Sequence, residues 1–285
     1  MFGNPRFDTF FMKAVEALRP YLGDLICIGG CANALYRYHP NASTTIPVPY
    51  LGTIDTDWMT PVRLSERGRL PIALLMKQAG FVEEAIGADE RPAVKYRLRN
   101  SDFPAEIEFL CKRSGIPGGR EPKEITSHPV QEGLLAQPLR YLDILEHGTW
   151  ELDLGRVPEF ECLSGTVIRL PNPMAYVAQK ILINARRQES VSKAKDFYYI
   201  YEISVIFRDY LDALATDCRN LERTFRTQIR DFKRKAAICF ASSSAEGPTL
   251  ALEVCRGNKS HATENQVKLT AEMIYRSVSK LLGAL

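Results

Sequence analysis

The sequence predicts an α+β protein: a small mixed β-sheet core over residues 1–170, then a helical C-terminal region over residues 171–285. Three observations lead there. Up to residue 170, short apolar runs bounded by Gly and Pro alternate with isolated helical stretches. From Asn172-Pro173 onward, apolar residues recur every three or four positions almost without a break. The charge balance changes at the same place. Residues 171–285 carry 18 Lys and Arg against 12 Asp and Glu, a net +6, whereas residues 1–170 carry 19 against 22, a net −3.

Each element has its own warrant. Phe7, Phe10, Phe11, Ala14, Val15 and Leu18 share helical spacing, so 7–19 reads as an amphipathic helix. Leu25–Ile28 is a short buried strand, and Ala32–Tyr38 a helix launched from Gly29-Gly30. His39–Gly52, with Pro40, Pro47 and Pro49, reads as an irregular loop or a short edge strand. Thr53–Met59 is a second core strand, with Ile54 and Trp58 facing inward, and Arg67–Ala79 a helix stopped by Gly80. Val94–Arg99 and Glu106–Leu110 read as a strand pair, and 113–138 as a long loop. Tyr141–Glu146 and Trp150–Leu154 flank His147-Gly148-Thr149 as a hairpin, and Thr166–Leu170 is a last strand. Asn172 caps a helix with Pro173 at its first position, Ser192 caps the next, and two more helices cover roughly 217–240 and 262–282.

Composition narrows the function classes. No apolar run approaches the ~20 residues of a membrane span, and Met1–Arg6 lacks the layout of a signal peptide, so a cytoplasmic location is expected. Seven scattered cysteines with no Cys-x-x-Cys read as reduced core residues. Four dispersed histidines give no support to a metallohydrolase or a Ser-His-Asp triad.

The chemistry concentrates in the acidic strands. Strand side chains alternate faces, so Asp55 and Asp57 project together, as do Glu106 and Glu108. Paired anions repel unless a cation or proton sits between them. If the two strands are neighbours, Asp55, Asp57 and either Glu106 or Glu108 supply hard oxygen ligands for Mg²⁺. Two such ions can activate an attacking hydroxyl and stabilise a leaving pyrophosphate. Gly29 and Gly30, lacking Cβ atoms, let main-chain N–H groups approach phosphates.

An apolar strand ending in Gly29-Gly30, then Thr53-Ile54-Asp55-Thr56-Asp57, then Ile107-Glu108-Phe109 resembles the DNA-polymerase-β-type nucleotidyltransferase superfamily. Within it the chain is similar to the bacterial minimal nucleotidyltransferases that include abortive-infection (AbiE-type) toxins, through Lys180, Arg186-Arg187 and Lys195-Asp196. The resemblance spans roughly residues 20–210. It implies that Gly29, Gly30 and Thr53 hold the triphosphate, with Arg187 as a further nucleotide contact. Asp55 and Asp57 would bind both metals and Glu108 would be the third acid. Lys180 would contact phosphate or neutralise charge, with Asp196 positioning it or the base; Lys180 and Arg187, seven residues apart, are expected on one helix face. Three departures stand out: Gly30 replaces a common Ser, residues 39–52 form an insertion, and Glu stands where Asp is usual.

The expected activity is Mg²⁺-dependent, two-metal transfer of a nucleoside monophosphate from an NTP to an acceptor hydroxyl. A tRNA 3′ end is favoured over a protein or small molecule, and a toxin role with a cognate antitoxin is in keeping with the resemblance. Arg219, Arg223, Arg226 and Arg230 recur at helical spacing and read as one RNA-binding stripe on one helix. The rival expectation is a catalytically silent nucleotide- or RNA-binding regulatory protein of the same fold.

Overall fold

A computed structural model describes residues 4–49, 51–86, 93–113, 127–256 and 264–283. The chain forms two compact units, Met1–Tyr38 with Tyr50–Pro171, and His39–Pro49 with Asn172–Leu285.

The first unit opens with helix α1 (Pro5–Leu18), where Asn4 accepts a hydrogen bond from Arg6 N at 3.0 Å and Pro5 takes the first position. Its apolar face is aromatic: Phe11 stacks on Trp58 and on Phe160, with ring centroids 6.4 and 5.2 Å apart. Strand β1 (Ile26–Ile28) leads directly into α2 (Gly29–Leu35), which begins at the diglycine rather than after it. Then come β2 (Asp55–Thr60), α3 (Ile72–Gln78), β3 (Phe81–Ile86), β4 (Ala93–Leu98) and β5 (Glu106–Lys112). The hairpin β6 (His128–Gln131) and β7 (Leu134–Leu139) and the pair β8 (Trp150–Asp153) and β9 (Val167–Leu170) complete the unit.

The main sheet is mixed. Its order is β1-β2-β5-β4-β3, with β7 pairing the end of β5 and β6 pairing β7. β2 and β5 run parallel; β1–β2, β5–β4 and β4–β3 are antiparallel. One face of the central strands is core, because Thr56, Trp58, Ile107, Phe109 and Tyr96 are all buried. The other face carries the acids.

Several expectations are corrected. Ile54 lies just before β2 and is 44% exposed, so Thr56, not Ile54, joins Trp58 in the core. The helix expected from Arg67 starts only at Ile72, since Arg67 and Gly68 both adopt positive φ and form a turn. β8 pairs with β9, not with 141–146, because Asp143–Glu146 winds into a 3-10 turn. Of the loop expected over 113–138, residues 114–126 lie outside the described residues, while 128–139 is a hairpin turning at Gly133, φ +68°.

The second unit is helical. α4 (Pro173–Asn184) starts as expected: Asn172 Oδ1 accepts from Met174 N at 2.8 Å. It is buried almost all round, the mark of a central helix. α5 (Ser190–Ile206), α6 (Leu211–Thr224) and α7 (Arg226–Cys239) pack on it, and α8 (Glu246–Arg256) and α9 (Glu264–Gly283) pack on α5. Ser192 lies inside α5 and donates to Glu189, which occupies the cap position. The inserted segment 39–49 packs on α5: Ser43 N donates to Ile206 O at 2.7 Å, and Tyr198 OH to Pro49 O at 2.5 Å. None of the described helices is long and apolar enough to cross a membrane.

Candidate active site

The acidic face is built by register. Asp55 lies opposite Glu106 and Asp57 opposite Glu108 across the parallel β2–β5 pair. Asp57 also lies opposite Ile28, Glu108 opposite Lys95, and Lys95 opposite Glu84. Ile28, Asp57, Glu108, Lys95 and Glu84 therefore form one row across five strands. Like charges directly opposite each other are unfavourable in a sheet, so each acidic pair needs a cation within reach.

Two basic residues of β4 meet part of that need. Lys95 Nζ contacts Glu106 and lies 2.7 Å from Glu108 Oε1. Arg97 donates through Nε to Glu106 Oε1 at 2.9 Å, contacts it again through Nη2, and pairs with Glu84 at 2.8 Å. Burial pushes the Glu106 carboxyl upward, but the bonds from Lys95 and Arg97 outweigh it and hold the group below the ordinary carboxylate range. For Lys95 burial acts to lower the value, and the two glutamates overcome it and raise it.

The diglycine bend sits against the same face. Gly29 adopts φ +66°, and a Cβ there would lie 2.1 Å from Asp57 Oδ2. Only glycine fits, on both counts. Cys31 Sγ donates to Asp55 O at 3.4 Å, tying α2 to the start of β2. Burial, with the neighbouring Cys27 thiol, pushes Cys31 well above the ordinary thiol range. Thr53 Oγ1 lies 3.1 Å from Asp55 O and 3.3 Å from Asp55 N, fixing the turn that precedes the strand.

Gly29, Asp55, Asp57 and Glu108 are thus brought together in one unit, with Gly30 and Thr53 adjoining. Carboxylate oxygens beside a bend that tolerates no Cβ are a donor set suited to Mg²⁺ and a triphosphate. No group of three or more His, Cys, Asp and Glu already arranged around a common metal position is found among the described residues. Lys95 and Arg97 escaped the sequence reading, although Val94-Lys95-Tyr96-Arg97-Leu98 shows the same alternation as the acidic strands.

Lys180, Arg187 and Asp196 converge in the second unit. Asp196 is 1% exposed and accepts from Lys180 Nζ at 3.1 Å and from Arg187 Nε at 2.5 Å. Lys180 Nζ also stands 5.3 and 5.4 Å from the ring centres of Tyr176 and Tyr199. One expectation is corrected: α4 ends at Asn184, so Arg187 is not on a helix face shared with Lys180. It reaches Asp196 from the turn that follows.

The arginine stripe is also corrected. Arg219 and Arg223 belong to α6, while Arg226 and Arg230 belong to α7, the break falling at Phe225 with φ −118° and ψ 43°. All four are exposed. The break lets both apolar faces cover α4, which an unbroken rod of about 40 Å would overrun. Glu222 and Lys233 pair across it at 2.9 Å.

Comparison with curated proteins and with solved structures returns no match. A family model described as nucleotidyltransferase matches residues 11–222, from within α1 to the last turn of α6. The chain belongs to that nucleotidyltransferase family.

Proposed function

We propose that this nucleotidyltransferase moves a nucleoside monophosphate from an NTP to an acceptor hydroxyl, using Mg²⁺ held on the acidic face of the sheet. The observation that carries the reading is the approach of Asp57 to Gly29, in register with Glu108. Asp55 and Asp57 would hold the metal, with Glu108 as third carboxylate. Bound Mg²⁺ would supply activation of the acceptor hydroxyl and charge neutralisation for the departing pyrophosphate. The chain's own part is placement. The main-chain amides of Gly29 and Gly30 receive the phosphates, and Thr53 holds the backbone of Asp55 where its carboxylate faces the same side as Asp57. Asp196 orients Lys180 and Arg187, the two cations that the resemblance assigns to the nucleotide.

The finer assignment follows the resemblance to the AbiE-type branch. The acceptor is a tRNA 3′ end, Arg219, Arg223, Arg226 and Arg230 contribute RNA affinity, and a cognate antitoxin restrains the enzyme. A protein or small-molecule acceptor is the alternative outcome of the same test. Residues 1–170 would be the nucleotidyltransferase core and 171–285 a helical C-terminal domain.

The test is incubation of the full chain with each labelled NTP, Mg²⁺ and separated cellular tRNA, other RNA and protein. Label should enter the tRNA fraction and vanish with Asp55→Asn/Asp57→Asn. The charge balance supplied by Lys95 and Arg97 favours a second reading, a silent nucleotide- or RNA-binding protein. NTP binding without transfer to any fraction would establish it.

A further inference from the structure

Lys95 stands where the two acidic rows meet. It lies directly opposite Glu108, which lies directly opposite Asp57. Its ammonium group is shared between Glu106 Oε2 and Glu108 Oε1. The two glutamates differ in what else holds them. Glu106 is engaged at its other oxygen by Arg97, and only 10% of its side chain is exposed. Glu108 keeps 25% of its side chain exposed, on the row that contains Asp57 and, beyond it, the residue preceding the diglycine.

We propose that Lys95 is a positioning residue that serves as the built-in counter-cation of the acidic face, holding Glu108 in line with Asp57 and competing with a divalent metal for it. Arg97 and Lys95 together retain Glu106, which leaves Glu108 as the third carboxylate. The inference rests on the metal-binding reading of Asp55 and Asp57. Its physical basis is charge. A divalent ion entering beside Asp57 meets a fixed positive charge already paired to its third ligand, and must displace that ion pair. Affinity for the metal alone is held down as a result, so the ion is best bound together with an anionic triphosphate that adds its own ligands.

The experiment uses the full chain and Mn²⁺ alone, with free Mn²⁺ read by its solution EPR signal. Lys95→Met should bind Mn²⁺ on the order of tenfold more tightly than the parent. Lys95→Arg, which keeps the charge, should return the affinity to the parent value. Should Lys95→Met fail to fold, Lys95→Gln retains hydrogen-bond donors to the glutamates without the charge, and the same tightening is expected. Asp57→Asn separates the two ideas. If it weakens Mn²⁺ binding while the Lys95 variants bind no more tightly than the parent, the role of Lys95 is overturned and the metal site stands. If Lys95→Met and Lys95→Met/Asp57→Asn hold Mn²⁺ equally poorly, the metal-site reading falls and this inference with it.

Discussion

On the sheet, Glu106 and Glu108 share Lys95, and Arg97 joins Glu106 to Glu84; in the helical region, Lys180 and Arg187 share Asp196. The first cluster gathers carboxylates around shared cations, and the second gathers cations around one carboxylate. Their burial differs as well. Asp55 is exposed and Asp57 half-buried, whereas Lys180 and Asp196 are both buried. An exposed face can gain or lose an ion at little cost to the fold. A buried, hydrogen-bonded pair cannot, because stripping one partner leaves a charge in a poorly solvating interior. The sheet cluster is therefore where binding chemistry is affordable, and the helical cluster is where geometry is held.

The largest effect that would break this contrast is catalytic. Asp57→Asn should lower transfer by at least about a thousandfold, on the scale of losing a principal electrostatic group, while leaving stability within about 1 kcal/mol. Paired kinetics and urea denaturation check both halves, and a large stability loss would contradict the picture of a tolerant face. The converse variant is Asp196→Ala, expected to cost about 3–5 kcal/mol because Lys180 is left buried without its carboxylate, beside the rings of Tyr176 and Tyr199. Lys180→Met, which fills the same space and leaves Asp196 paired with Arg187, should cost markedly less by the same denaturation measurement.

Gly29→Ala comes next. Strain at positive φ alone costs about 1–2 kcal/mol, and the clash with Asp57 should displace that carboxylate and weaken NTP binding more than it lowers the melting temperature. The smallest effect sharpens the sheet side. Glu106 is held below its ordinary value of 4.5, so its contribution is complete above that pH and is lost as pH falls through the lower folded value. Parent and Glu106→Gln stability curves should differ at neutral pH and converge in acid.

Strand periodicity is short and local, so the sharing of one face by Asp55 with Asp57, and by Glu106 with Glu108, is legible before any coordinates. The cap at Asn172-Pro173 and the α+β division are legible for the same reason. Pairing partners are not. Whether Lys95 meets Glu106, Glu108 or both depends on the β4–β5 register, set by Tyr96 and Phe109 packing edge to face beneath it. The β6–β7 hairpin is masked by Pro129 and Pro138, which read as breakers although β6 is an edge strand that tolerates one. The break at Phe225 is invisible to periodicity. Leu214, Cys218 and Leu221 continue in phase into Ile229, Phe232 and Ala236, so one straight helix and two bent ones share a pattern. The convergence of Lys180 and Arg187 on Asp196 needs the turn after Asn184, which no spacing rule supplies.

The segment from His39 to Pro49 bears on how the molecule can be dissected. The polypeptide leaves the first unit after Tyr38, is moored to α5 through Ser43 and Pro49, and then supplies β2. Truncation after residue 170 would deprive Ser43 and Pro49 of their hydrogen-bond partners on α5. A fragment ending there keeps every acid of the sheet face but releases the tether just upstream of Thr53, so recombinant work on this protein calls for the uncut chain.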